Sequence, residues 1–129
     1  MITARVWRER RQRYLNEAAK CAKCGKVHFP PRLICDGCRG REFEFVRLPE
    51  TGKLLTWSVV RAGAPAFAQE VPYVVGIIEM DDGTRLMAQV ADVEPARLAQ
   101  GARVRLEFRK VRQHGRTGII AYAHKAVLI

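Results

Sequence analysis

Cys21-Ala-Lys-Cys24-Gly25 and, with ten residues between Cys24 and Cys35, Cys35-Asp-Gly-Cys38 are the stretch on which the reading of this chain turns. Each Cys-x2-Cys pair can fold into a tight knuckle that aims two sulfurs at one point, and the intervening arm carries the second knuckle across to face the first. Four thiolates in a tetrahedron are the donor set of a closed, structural Zn²⁺ site. Iron in a rubredoxin-like site is the rival, because it also accepts four thiolates. A redox pair needs neither the second knuckle nor this spacing. Gly25 and Gly37 are expected to let the backbone turn so that its N–H groups face the sulfurs. Lys20, Lys23, Lys26, Arg39 and Arg41 would offset the formal charge of about −2 on a Zn²⁺ tetrathiolate. His28 lies between the pairs and reads as an exposed ribbon residue, since four sulfurs already fill the metal's coordination sphere. Residues 21–42 are too poor in apolar side chains to fold unaided, so the metal would supply the missing stability.

Upstream, residues 1–20 are arginine-rich and hold neither Gly nor Pro. Trp7, Tyr14 and Ala18 fall seven and four apart, which predicts one amphipathic helix with those residues on a shared face. Downstream, residues 43–129 carry β-type patterns. Strands are predicted at Phe43–Leu48, Lys53–Val60, Tyr73–Met80, Arg85–Val90, Arg103–Val111 and Gly118–Val127. Asp82-Gly83 is a hairpin-turn signal. Pro95, with Glu94 before it as a cap, predicts one short helical turn. Short strands with one small helix in this length fit a small closed barrel of the oligonucleotide/oligosaccharide-binding (OB) type, with an SH3-like barrel or a small sandwich as alternatives. The expected chain is thus mainly β: a helix over 1–20, a zinc ribbon over 21–42 and an OB-fold barrel over 43–129.

The charge balance narrows the partners. Lys and Arg number 23 against 13 Asp and Glu, a formal net charge of +10. Such a surface suits an anionic partner: nucleic acid, an acidic protein face or a phosphorylated ligand. No apolar run reaches the length of a membrane helix, and residues 1–13 lack the apolar core of a secretory signal, so a cytoplasmic location is expected. No nucleophile sits with a base. Ser58 is the one serine and lies inside a strand pattern, His114 sits in a basic loop, and Asp81-Asp82 belong to a turn. Glu79 and Glu107 are expected to face solvent. There is no Gly-rich phosphate loop. Aromatics of the barrel region (Trp57, Phe67, Tyr73, Phe108, Tyr122) near Arg61, Arg85, Arg109 or Arg112 could stack a base and hold phosphates. The small-residue segment Arg61–Pro72 is long for a hairpin and suits a binding loop.

The run Cys21-x2-Cys24-Gly25, Phe29-Pro30-Pro31-Arg32, Cys35-x2-Cys38 resembles the zinc-ribbon/OB-fold accessory proteins of thiolases, a family formerly catalogued as a domain of unknown function. The likeness continues through Gly52, Trp57-Ser58-Val59-Val60, Pro72-Tyr73, Asp82-Gly83 and Gly101-x-x-Val104, and covers essentially the whole chain. The chain departs from many members at its end, Ala-Val-Leu-Ile, where they have a Pro- and Phe-containing tail. The resemblance implies an N-terminal helix, a rubredoxin-like ribbon and an OB barrel. It further implies a non-catalytic subunit of a hetero-oligomer with a thiolase-fold enzyme, a hydroxymethylglutaryl-CoA synthase or a related synthase. In such an assembly the barrel would help bind the CoA part of an acyl thioester. On that reading Trp57, Arg61, Phe67 and Tyr73 are candidates for the CoA groove, and Trp7, Tyr14, Phe29 and Arg32 for partner docking. The alternative is a single-stranded nucleic-acid binder, for which aromatics at 8% and scattered make a poor stacking ladder.

Overall fold

The computed structural model describes residues 4–113 and 115–129; His114 lies outside them. The arginine-rich start forms two short helices, α1 (Ala4–Arg8) and α2 (Arg10–Leu15). Helix does not continue to residue 20. Asn16 takes a left-handed conformation (φ 49°) at the end of α2, a turn that short polar side chains tolerate. The next residues, Glu17–Cys21, are strand β1. Ala18 and Ala19 are strong helix formers, yet both are buried in β1, because pairing and core packing outweigh local propensity. The expected Trp7–Tyr14–Ala18 face therefore does not exist: Ala18 joins the barrel core, and Trp7 is 59% exposed.

β1 is the middle of a three-stranded antiparallel sheet, with β2 (Val27–His28) on one side and β3 (Phe43–Arg47) on the other. This sheet is the ribbon's platform. The chain then enters a closed five-stranded barrel built from β4 (Thr51–Val60), β5 (Tyr73–Met80), β6 (Arg85–Ala91), β7 (Arg103–Gln113) and β8 (Ile120–Leu128), in the order β4-β5-β6-β8-β7. β7 returns to the start of β4, and β6 meets β8 in parallel, which closes the barrel and leaves no free edge. Five strands in one closed ring make this an OB barrel rather than a sandwich. A register shift between Leu54 and Thr56 bends β4, which pairs with β5 from Gly52 to Val60 and, over Thr51–Lys53, with β7 as well.

Buried and half-buried residues alternate along all of β5, the signature of a strand with one face on a core. Leu54, Ile78, Met80 and Val104 are fully enclosed, with Val74, Leu86, Val90, Leu106 and Ala126 around them. Gly52 sits where three strands meet, paired with Met80 on one side and Val104 on the other. A Cβ there would lie 2.6 Å from the Glu79 carbonyl oxygen, so nothing larger fits. The Asp82-Gly83 turn forms as expected: Gly83 (φ 88°) donates its N–H to the Met80 carbonyl at 2.9 Å, and Asp82 Oδ1 accepts from the Thr84 N–H. Pro95–Arg97 makes the expected single turn, but Glu94 caps it with its backbone carbonyl, not its side chain.

Candidate metal centre and flanking surfaces

The two knuckles are copies of one hydrogen-bonding pattern. In the first, the Cys21 N–H donates to the Lys26 carbonyl (2.8 Å) and the Gly25 N–H to the Cys21 carbonyl (3.0 Å). In the second, the Cys35 N–H donates to the Gly40 carbonyl (2.9 Å) and the Arg39 N–H to the Cys35 carbonyl (2.9 Å). The turn residue of each is left-handed: Gly25 at φ 76° and Arg39 at φ 58°. The second knuckle thus turns at Arg39, not at Gly37. Gly40 has a steric role that spacing did not reveal. It is buried, and a Cβ on it would stand 3.3 Å from Cys38 Sγ and 3.4 Å from Cys21 Sγ.

The four sulfurs converge. Cys21 and Cys38 Sγ lie 3.4 Å apart, Cys24 and Cys35 Sγ 3.5 Å apart, and all four fall within 4.8 Å of one another. A tetrahedral zinc tetrathiolate with bonds of about 2.3 Å sets its sulfurs roughly 3.8 Å apart, so the donors fit the metal. They are free thiols, well beyond the roughly 2.05 Å of a disulfide. Cys21 and Cys35 are buried; Cys24 and Cys38 are exposed.

Electrostatics point the same way. The Cys24 N–H, helped by the Lys23 N–H and by the Cys38 and Cys24 side chains, lowers the Cys21 thiol to about 6 despite burial. The Cys38 N–H, then the His28 ring and the Gly37 N–H, bring Cys35 down to about 7, again against burial. For Cys24 the Lys26 N–H pulls downward, but the Cys35 sulfur, burial and the Cys21 and Cys38 sulfurs outweigh it and push the thiol up to about 12. Sulfurs this close cannot all ionise together unless a cation joins them. Of the flanking lysines, Lys26 is held by Asp36 at 2.6 Å, an exposed pair that bridges the knuckles.

His28 is not exposed. It is 5% accessible, with its Nε2 3.4 Å from Cys35 Sγ and its ring edge-on to Phe43 at 6.0 Å. Its pairing in β2 opposite Ala19 turns it under the second knuckle, a placement that the spacing of the cysteines does not encode.

The four candidates for a CoA groove do not form one surface. Trp57 pairs with Gly76 and packs against the core, whereas Tyr73 pairs with Val60, three residues on. An odd offset along a strand puts the two side chains on opposite faces of the sheet. Tyr73 instead meets Phe67 of the Arg61–Pro72 loop, ring centroids 5.9 Å apart, and Arg61 is exposed nearby in sequence. Arg85 and Arg109, also read as ligand candidates, are engaged: Glu79 takes Arg85 (3.4 Å) together with Lys53 (3.3 Å), and Glu107 takes Arg109 (2.8 Å) together with Arg105 (2.6 Å). Both glutamates are partly exposed, on the solvent side as expected, and each is shared between two basic side chains.

Among the docking candidates, Trp7 and Arg32 are exposed, while Tyr14 and Phe29 are half-buried. Tyr14 rests edge-on against Phe108, and Phe29 packs against the core. Trp7, Tyr14, Phe67, Arg112, Ile119 and Tyr122 line an apolar cleft of about 170 Å³ between the helices and the β7–β8 hairpin. Sequence reasoning missed Leu33 (88% exposed), Ile34 and Phe45 (66% exposed), large apolar side chains that the ribbon and its sheet leave in solvent. Residues 1–47 hold twelve Lys and Arg against five Asp and Glu, compared with eleven against eight in 48–129. The excess charge is therefore concentrated on the helices and ribbon. No helix among the described residues is long and apolar enough to cross a membrane.

Two cysteine knuckles on a three-stranded sheet, followed by a closed five-stranded barrel, define a metal-ribbon protein with an OB-fold domain. Comparison with known proteins agrees: residues 17–44 match the rubredoxin-like zinc ribbon domain of ChsH2, and residues 45–109 its C-terminal OB-fold domain. A DUF35 domain-containing scaffold protein of Methanocaldococcus jannaschii is 38% identical over 96% of this chain and 89% of its own length. Its counterpart in Methanothermobacter thermautotrophicus is also 38% identical, over 95% and 93%. The chain belongs to this family of DUF35 domain-containing scaffold proteins. The benzoylsuccinyl-CoA thiolase subunit BbsA of Thauera aromatica is 37% identical over 55% of this chain and 48% of that subunit. The Ltp2-ChsH2(DUF35) aldolase structure shares the fold, with a TM-score of 0.69 at 24% identity over 91% of this chain and 87% of that one.

Proposed function

We propose that this chain is a non-catalytic subunit of a thiolase-type acyl-CoA acyltransferase complex, in which it scaffolds the enzyme and helps hold the CoA moiety of the thioester. The observation that carries the reading is the near full-length match to relatives named as scaffold proteins, together with the similarity to a subunit named for a CoA thiolase. The metal is Zn²⁺, bound by Cys21, Cys24, Cys35 and Cys38. It supplies structural cross-linking only, since four thiolates leave no open coordination position. The helix–ribbon unit is the docking face. It combines most of the excess positive charge with exposed Trp7, Leu33, Ile34 and Phe45, which suits an acidic partner surface with apolar sockets. Trp7 and Arg32 make contact directly, whereas Tyr14 and Phe29 hold the face in place. Phe67, Tyr73 and Arg61 are the remaining ligand candidates of the barrel; Trp57 supports them from the core side.

The test is co-expression with thiolase-fold enzymes of the same genome, followed by affinity capture and metal analysis. The expected result is a stable hetero-oligomer that contains zinc, with no thioester turnover by this chain alone. Cys24→Ser should lose metal and assembly together. Full assembly of that variant without metal would refute the structural role, and turnover by the isolated chain would refute the non-catalytic one.

A second reading has one specific observation behind it. Phe108, Tyr122 and His124 on adjacent strands β7 and β8 form a contiguous ring cluster, with Phe108 stacked on Tyr122 at 5.2 Å, next to Lys110 and Arg112. Such a ladder suits single-stranded nucleic acid. Against it, Tyr14 of α2 occupies one side of Phe108. Strand binding that weakens steeply with salt would favour this reading over the scaffold.

A further inference from the structure

The two knuckles match in backbone hydrogen bonding, but their buried sulfurs do not have the same surroundings. Cys21 receives the Cys24 and Lys23 N–H groups. Cys35 receives the corresponding Cys38 and Gly37 N–H groups, and in addition faces the ring of His28, whose Nε2 stands 3.4 Å from its Sγ. A buried imidazole nitrogen needs a partner. The other candidate, Asp36 Oδ1, is 3.9 Å away, beyond hydrogen-bond range, and is held by Lys26 at 2.6 Å. A metal-bound thiolate can only accept, so Nε2 must carry the hydrogen.

From this geometry we propose that His28 is a positioning residue of the metal centre. Its Nε2–H donates to the Cys35 thiolate, fixes that sulfur's orientation and draws off part of its charge, so that Cys35 becomes the anchored ligand of the four. Strand pairing opposite Ala19 and the edge-on contact with Phe43 hold the ring in place. Cys24 and Cys38 are exposed, so attack by a chelator or an electrophile begins on their side, and the buried Cys35 is the last ligand to leave. The proposal rests on the metal reading above.

The experiment uses the full chain loaded with Co²⁺, in the parent, His28→Phe and His28→Gln. Phe keeps a flat apolar ring and loses the donor; Gln keeps an N–H donor. His28→Phe should bind Co²⁺ about 10–100-fold more weakly, as expected when an outer-shell partner of a metal ligand is lost. It should also shift the thiolate-to-cobalt charge-transfer band and speed metal release to a chelator, and His28→Gln should restore most of each property. Parent-like affinity and band in His28→Phe would overturn the proposal, as would equal damage in both variants, which would mark a packing role. If His28→Phe does not fold, ¹⁵N NMR of the cadmium-loaded parent decides. Protonation of His28 at Nε2 with coupling to ¹¹³Cd supports the bond; a hydrogen on Nδ1 alone overturns it. A parent chain that binds no Co²⁺ at all would overturn the metal reading itself, a result distinct from any difference among the variants.

Discussion

Phe108→Ala should release the N-terminal helices from the barrel while leaving the barrel and the ribbon folded. Phe108 lies on β7 opposite His124, and its ring meets Tyr14 of α2 edge-on at 5.6 Å. A polar tie also joins α2 to the barrel: His124 Nδ1–H donates to the Arg13 carbonyl at 3.1 Å. The Arg11–Glu17 pair is exposed on the arginine side and adds little. An edge-to-face aromatic pair contributes about 0.5–1.5 kcal/mol beyond burial. Phe108 is half-exposed, so its lost apolar contact adds about 1 kcal/mol. The sum, about 1.5–2.5 kcal/mol, raises the opening of α2 roughly 10- to 60-fold. Arg8, Arg10, Arg11 and Arg13 make this segment a natural trypsin target, so limited tryptic cleavage and amide exchange over residues 4–15 read the opening directly. Phe108→Leu keeps apolar area without ring edges and should fall between parent and Phe108→Ala. Cleavage and exchange in Phe108→Ala equal to the parent's, with the barrel intact, would refute this account of how the helices are held.

Other substitutions probe the remaining joints. Gly52→Ala should destabilise by about 1–3 kcal/mol, because the new methyl meets a backbone carbonyl that cannot swing aside; a thermal melt should show a midpoint several degrees lower. Arg39→Gly should preserve metal binding and stabilise by up to about 1 kcal/mol, by relieving a Cβ held at positive φ, whereas Gly25→Ala should cost about as much; chelator competition and melts check both. Burial holds the His124 imidazole below its ordinary value, with Arg47 acting the same way and the Arg13 carbonyl and Glu50 opposing. The folded form therefore prefers neutral His124. Its contribution is complete above the unfolded value of about 6.5 and is lost as pH falls toward the lower folded value. The protection of the α2 amides, taken against their intrinsic exchange rates, should fall between neutral and mildly acidic pH, and His124→Gln should flatten that dependence.

The cysteine spacing, the Asp82-Gly83 turn and the alternation along Tyr73–Met80 were all legible in the chain, because each is a local pattern whose geometry is set within a few residues. The same holds for the barrel's strands, each found close to where alternation put it. What depends on distant partners was not legible. Ala18-Ala19 form a strand because pairing with β3 holds both and the barrel core buries Ala18, against their own helical preference. Trp57 and Tyr73 share a neighbourhood in sequence, yet strand register sends them to opposite faces.

The amino-acid sequence alone thus determined which four sulfurs converge, the order of ribbon and barrel, and the sign of the net charge. Tertiary structure alone decided that His28 sits beneath Cys35, that Arg39 and not Gly37 turns the second knuckle, and that the arginines on Glu79 and Glu107 are already engaged. The physical reason is that spacing fixes which atoms can converge, whereas burial and pairing depend on residues far along the chain that meet only after the sheet closes.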